Sequence, residues 1–194
     1  MNNLVKRKKI NASGGVIFRC INPKVDRTRQ KFPRSDSNSK DWFDKHQANQ
    51  HYVEVLLIYR NGLWDIPKGK VEKKETIANA ARREVQEEVG IQEPIITHYI
   101  GSTTHEYEQK NKSYHKTTYW YGMIDAQEHR LPFPFPKNNK VEPLASNKQH
   151  FSPQLEEGIT DVQWFTVIQA HEMVAFENLR EVLRRFTEQI DRLL

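Results

Sequence analysis

The chain has 194 residues, 37% of them hydrophobic and 28% charged, with a formal net charge of +5. That length suits one domain with a real core, and no apolar run approaches the ~20 residues that a membrane helix needs. Cys20 is the sole cysteine, so an intramolecular disulfide is excluded, and a reducing, cytoplasmic setting is expected.

Residues 1–12 form a basic N-terminal segment without the apolar core of a signal peptide. A single domain is expected over 13–194, opening with a strand at 13–20 (SGGVIFRC). Residues 21–50 hold Pro23, Pro33 and the run SDSNSKD, and read as a polar insertion. Residues 51–60, HYVEVLLIYR, are β-branched and aromatic and predict a strand. Asn61 and Gly62 signal a tight turn, and Leu63 to Ile66 continues as a short strand.

A loop over 67–70 then leads into a helix of about 75–89, with Glu75 or Thr76 near its start and Gly90 as its stop. Residues 94–104 and 113–124 predict an antiparallel strand pair with a polar connection. Residues 126–153, rich in Pro, Asn and Lys, read as a second polar insertion, and Val162 to Phe165 as a last strand. The tail, 167–193, predicts one helix whose stripe of Phe176, Leu179, Val182, Leu183, Phe186, Ile190 and Leu193 packs into the core. Antiparallel strands mixed with two helices, without a βαβα alternation, favour an α+β sandwich over a doubly wound sheet.

The most informative stretch is Gly69 to Ile91, GKVEKKETIANAARREVQEEVGI. It places Glu84, Glu87 and Glu88 on one face of the expected helix. Like charges at that spacing repel, so helix stability alone does not call for them. A hard divalent cation, which takes oxygen ligands, removes the conflict. Ala78, Ala81 and Val85 form an apolar arc toward the sheet, with the carboxylates at its edge.

This stretch resembles the Nudix box, Gly-x5-Glu-x7-Arg-Glu-U-x-Glu-Glu-x-Gly-U, where U is a bulky aliphatic. Gly69, Glu75, Arg83, Glu84, Glu87, Glu88 and Gly90 occupy its fixed positions, and Val85 and Ile91 its aliphatic slots. Chance agreement at all seven fixed positions is on the order of 10⁻⁸ per starting residue. The resemblance implies an α+β, Nudix-type α/β/α sandwich. It would have a mixed, mainly antiparallel sheet and a loop–helix–loop catalytic motif. It also implies Mg²⁺, with Mn²⁺ as the alternative ion, held by Glu84, Glu87, Glu88 and the Gly69 carbonyl. Arg83 and Glu75 would support the site by charge pairing. The implied reaction is hydrolysis of a nucleoside diphosphate linked to another moiety, by attack of a metal-activated water at phosphorus. The general base would be Glu88, or a distal carboxylate such as Glu156 or Glu157.

The run LWDIPKGKVE is similar to that of the diadenosine polyphosphate and diphosphoinositol polyphosphate hydrolase branches of the family. A dinucleoside polyphosphate is the favoured substrate, on the strength of Tyr107, sixteen residues past Ile91. Lys68, Lys70 and Lys116 are candidate phosphate contacts, and Tyr107 and Tyr121 candidate aromatic contacts. The alternatives are an RNA 5′-pyrophosphohydrolase, for which the basic segment and the insertions speak, a diphosphoinositol polyphosphate hydrolase, and a non-catalytic nucleotide-sensing module. The expected partner is therefore a phosphorylated small molecule rather than a membrane, with RNA less favoured.

Overall fold

The computed structural model describes residues 7–21, 52–127 and 151–193. Most of the two polar insertions expected at about 21–50 and 126–153 lies outside the described residues.

Among the described residues, seven strands form one mixed sheet. They are β1 (Lys8–Ile21), β2 (Tyr52–Arg60), β3 (Leu63–Asp65), β4 (Lys68–Lys70), β5 (Pro94–Gln109), β6 (Lys112–Asp125) and β7 (Ile159–Thr166). The main path runs β3-β2-β1-β6-β5, with β4 pairing β1 and β7 pairing β2. β1 pairs parallel with β6 and antiparallel with β2 and β4; the other pairings are antiparallel. Among the described residues, three α-helices cover the sheet: α1 (Ile77–Val89), α2 (Val167–Met173) and α3 (Glu177–Leu193). One core cluster joins Val16, Phe18, Leu57 and Trp120 to Leu183 and Phe186 of α3. A second, on the opposite face, joins Ile17, Leu56, Ile58 and Met123 to Ala81, Val85 and Val89 of α1. The protein is thus an α+β, α/β/α sandwich. No helix among the described residues is long and apolar enough to cross a membrane.

Local chemistry sets several boundaries. Thr76 caps α1 by accepting from the Asn79 N–H at 3.2 Å, and Gly90 ends it in the left-handed region at φ 89°. Asn61 and Gly62 turn β2 into β3 with positive φ at both residues, 49° and 85°. Lys110 and Asn111 do the same between β5 and β6, at 50° and 58°. The two-residue turn makes these strands longer than the sequence suggests.

Three expectations are corrected. The first strand starts at Lys8, not 13, because Lys8–Ala12 pairs with Tyr114–Thr118 of β6. Residues 68–70 are a strand rather than a loop, since β1 offers them an antiparallel partner at Ala12–Gly14. The tail is two helices. Thr166 and Gln169 form a capping box that starts α2. Arg180 of α3 donates to the carbonyls of His171 (3.3 Å) and Val174 (3.0 Å), satisfying the end of α2 where the chain breaks. Phe176 therefore falls in the break and is 52% exposed, whereas Leu179, Val182, Leu183, Phe186 and Ile190 are buried.

Candidate active site

The segment that enters α1 is shaped around the helix's own carboxylates. A Cβ added at Gly69 would overlap the Glu84 carboxyl, so glycine is required for the two to lie together. β4 holds this contact in place: Gly69 is in register with Ser13 of β1, and the Gly15 N–H donates to the Pro67 carbonyl at 3.1 Å.

Arg83 organises three carboxylates at once. Its Nε and Nη2 donate to Glu75 Oε1 (3.0 Å) and Oε2 (3.1 Å), a bidentate pair of the strong, charge-assisted kind. Its Nη1 reaches Glu87 Oε2 at 2.7 Å and Glu84 Oε1 at 2.8 Å, and Nη2 also donates to the Lys70 carbonyl at 3.0 Å. The hydrogen bonds from Arg83 hold the Glu75 carboxyl below the usual carboxylate range, and Glu75 in turn keeps Arg83 firmly charged.

Glu84 and Glu88 lie deeper than the edge position expected of them. Their residues are 5% and 0% exposed, while the Glu87 side chain is 46% exposed. Burial pushes the Glu84 carboxyl upward, against the opposing pull of Arg83, with the charges of Glu87 and Glu157 adding to the rise. Burial pushes Glu88 up to about 7, against Arg60 and the Lys68 backbone N–H. Glu88 accepts that N–H at 2.9 Å and pairs with Arg60. Arg60, the last residue of β2, is a site residue that the sequence reading missed. Its place directly before the Asn61–Gly62 turn is the signal that could have found it.

The turn also explains how a distal loop arrives. The Asn61 N–H donates to the Gly158 carbonyl at 3.0 Å, which docks the 3₁₀ turn Leu155–Glu157 on the β2–β3 hairpin. Glu157 Oε2 then lies 3.7 Å from Arg60. Glu156, in the same turn, is exposed.

Lys68 pairs with Asp65. Lys116 of β6 is half-buried, and burial lowers its amine, with Lys68 and Arg60 adding repulsion and Asp65 and Glu88 opposing it. Lys68, Arg60 and Lys116 therefore share one electrostatic neighbourhood with Glu88. Lys70 is exposed, and Tyr107 lies on the outer part of the β5–β6 hairpin. The structure does not bring Tyr121 to Lys116. The two are an odd number of residues apart on β6, and Tyr121 packs with Tyr99 (centroids 5.3 Å apart) against the α1-side core.

Glu84, Glu87, Glu88 and the Gly69 main chain would offer oxygen donors only, the chemistry that a hard divalent cation takes. The raised carboxyls of Glu84 and Glu88 fit as well, because a cation would relieve their burial. In the arrangement seen, no three His, Cys, Asp or Glu side chains among the described residues stand together as a metal cluster. Glu87 is turned onto Arg83 and Glu88 onto Arg60.

A NUDIX domain model matches residues 43–189. The chain belongs to the NUDIX domain family. The match begins after β1, although β1 supplies the strand partner that positions Gly69. The NUDIX chain is 27% identical over 139 residues to an 8-oxo-(d)GTP phosphatase of Mycolicibacterium smegmatis, a match that spans 71% of this chain and about a third (34%) of that protein. Among solved structures it resembles a C. elegans Ap4A hydrolase in a binary complex, with a TM-score of 0.55, 18% identity, and coverage of 93% of this chain and 97% of that one. It also resembles the NUDIX domain of Shewanella oneidensis NrtR bound to ADP ribose, with a TM-score of 0.54, 14% identity, and coverage of 98% and 94%. At these identities the structural likeness concerns the fold.

Proposed function

We propose that this protein is a Mg²⁺-dependent pyrophosphohydrolase that cleaves a phosphoanhydride bond in a nucleoside diphosphate linked to another moiety, with a dinucleoside polyphosphate as its preferred substrate. One observation carries this reading: buried Glu84 lies against Gly69, and buried Glu88 shares a neighbourhood with the cations Arg60, Lys68 and Lys116. Carboxylates alone would repel a polyphosphate, and cations alone would only bind one. Family membership supports the reaction class, and the LWDIPKGKVE run with Tyr107 supports the substrate.

Glu84, Glu87, Glu88 and the Gly69 carbonyl would hold the cation. When bound, Mg²⁺ lowers the pKa of a water and neutralises charge on the leaving oxygen. Lys68 and Lys116 meet the phosphates, and Arg83 sets the rotamers of Glu84 and Glu87 from behind. Of the candidate bases, Glu88, Glu156 and Glu157, the exposed Glu157, 3.7 Å from Arg60, is the one we assign to take a proton from the attacking water. Phosphoryl transfer then rests on placement and electrostatics.

The test is a Mg²⁺ substrate panel with products resolved by chromatography: diadenosine tetraphosphate, 8-oxo-dGTP, ADP-ribose, a diphosphoinositol polyphosphate and 5′-triphosphate RNA. Glu87→Gln runs alongside and is expected to lower kcat by about 100-fold or more while the melting curve stays intact. Unchanged kcat in that variant rejects the metal assignment. Preference for another panel member keeps the mechanism and replaces the substrate. Because of the M. smegmatis relative, 8-oxo-dGTP is the first such replacement to consider.

A further inference from the structure

One buried carboxylate beside the phosphate-facing cations has no part in the chemistry described so far. Asp65 ends β3 and is 7% exposed. Its Oδ1 accepts the N–H of the next residue, Ile66, at 2.8 Å. Its Oδ2 pairs with the Lys68 ammonium across Ile66 and Pro67. The first contact orients the carboxylate against the backbone, so the second oxygen has a set direction.

Lys68 is held at three points. Its N–H donates to Glu88 Oε2 at 2.9 Å. Its stem passes Gly14 of β1 so closely that a Cβ on Gly14 would overlap Lys68 Cβ, the Pro67 carbonyl and the Trp120 ring. Its ammonium rests on Asp65. Gly14 is in register with Lys68 on one side and with Trp120 of β6 on the other. Lys68 therefore projects from the sheet face that carries Trp120 and, four residues back along β6, Lys116.

Around Lys116, Lys68 and Arg60 act as like charges and Asp65 and Glu88 as opposite ones. With Lys116 itself, three cations face two carboxylates. Glu88 belongs to the box, whereas Asp65 lies on β3 with both oxygens engaged. A largely buried ion pair adds little stability of its own, because each charge gives up water to form it. A neutral pair of the same shape would brace the turn as well. A charged Asp65 does one thing that a neutral side chain does not: it weakens the positive field that an incoming phosphate meets.

We propose that Asp65 is a positioning residue that holds the Lys68 ammonium in place and offsets its charge, so that Lys68, Lys116 and Arg60 grip a phosphate chain weakly unless a divalent cation comes with it. This selectivity deepens the phosphate-site reading above and rests on it. With Asp65 ionised, three cations against two carboxylates leave a small positive surplus for a chain that carries several negative charges. A divalent cation on the box carboxylates adds the remainder. Without the Asp65 charge, the cluster gains affinity for the bare anion and the need for the metal relaxes. Asp65 thus keeps metal-free phosphates, which the site cannot cleave, from filling it.

The experiment is calorimetric titration with inorganic tripolyphosphate at one ionic strength, once in Mg²⁺ and once free of divalent cations. It compares the wild type, Asp65→Asn, Lys68→Met and the double variant. Asparagine keeps an acceptor for the Ile66 N–H and removes the charge. The readout is the ratio of the two affinities, which an unfolded fraction of the sample does not alter. The wild type is expected to favour Mg²⁺. Asp65→Asn is expected to tighten metal-free binding by about 10-fold and to lower the ratio accordingly. In the Lys68→Met background the same substitution should change the ratio by no more than about 3-fold, because most of its effect acts through Lys68. An unchanged ratio in Asp65→Asn overturns the role of Asp65. So does an equal change in both affinities, which would mean that Asp65 only braces the turn. An effect of the same size with and without Lys68 overturns it too. A wild type that binds tripolyphosphate equally well in both conditions rejects the selectivity and leaves the phosphate site standing. A wild type that binds in neither overturns the phosphate site and the role of Asp65 together. If Asp65→Asn does not fold, Asp65→Ser, which also offers an oxygen to the Ile66 N–H, takes its place with the same expected outcomes.

Discussion

Helices α1 and α3 cover opposite faces of one sheet and treat their charges in opposite ways. In α3 the buried face holds Leu179, Val182, Leu183, Phe186 and Ile190. Its charges stay at the surface in short-range pairs, with Arg184 meeting Glu181 and Glu188, and Arg185 meeting Glu181. In α1 the buried face mixes Ala80, Ala81, Val85 and Val89 with Glu84 and Glu88. Burying a carboxylate is unfavourable unless it is paired and hydrogen-bonded, and Arg83, Arg60 and the Lys68 N–H supply that compensation only in part. The contrast separates a helix whose pattern follows from stability from one whose pattern asks for a ligand.

The comparison breaks most visibly on the α3 side. Phe186 packs fully buried against Phe18, with centroids 5.2 Å apart. Phe186→Ala should lower stability by about 3–5 kcal/mol in urea unfolding. A loss under about 1 kcal/mol would mean that α3 is not part of the main core.

On the α1 side a substitution that removes the charge should have the reverse sign. Burial raises the Glu88 carboxyl to about 7 from its ordinary 4.5. The folded state thus holds this proton more tightly than the unfolded chain. The ionised carboxylate destabilises the metal-free fold above pH 7, and that penalty fades as pH falls from about 7 to 4.5. Without divalent cations, Glu88→Gln should therefore be more stable than wild type at pH 8, by up to about 3 kcal/mol. The gap should close by pH 4.5. Mg²⁺ should raise the melting temperature of the wild type at pH 8 and have little effect on the variant. A destabilised Glu88→Gln at pH 8 would show that Glu88 is a structural residue like those of α3.

The smallest effect belongs to the surface of α3. Arg184→Ala removes pairs to two partly exposed carboxylates and should shift stability by less than about 1 kcal/mol, and less still at high salt.

Much of this was legible in the sequence because it depends on residues near one another in the chain. The spacing of Glu84, Glu87 and Glu88, the cap at Thr76, the stop at Gly90 and the turn at Asn61 and Gly62 are short-range matters, and the α+β class followed from the order of elements. The tail helix misled because Thr166, Gln169 and Arg180 outweigh a continuous apolar stripe, and the His171 carbonyl that Arg180 meets lies in the other helix. The sequence offered Lys116 and Tyr121 together as contacts, and only the structure showed which of them shares a neighbourhood with the box.

The sequence by itself determined the family and the box residues, since a motif with fixed spacing on one helix needs no long-range contact to be read. It also determined that the carboxylates would crowd one face. Only the tertiary structure decided how deeply each would be buried, because depth depends on what packs opposite. Only pairing across the fold placed Arg60 on Glu88 and brought Glu157 beside it. Register and docking between segments far apart in the chain set all of these, and no local pattern encodes them.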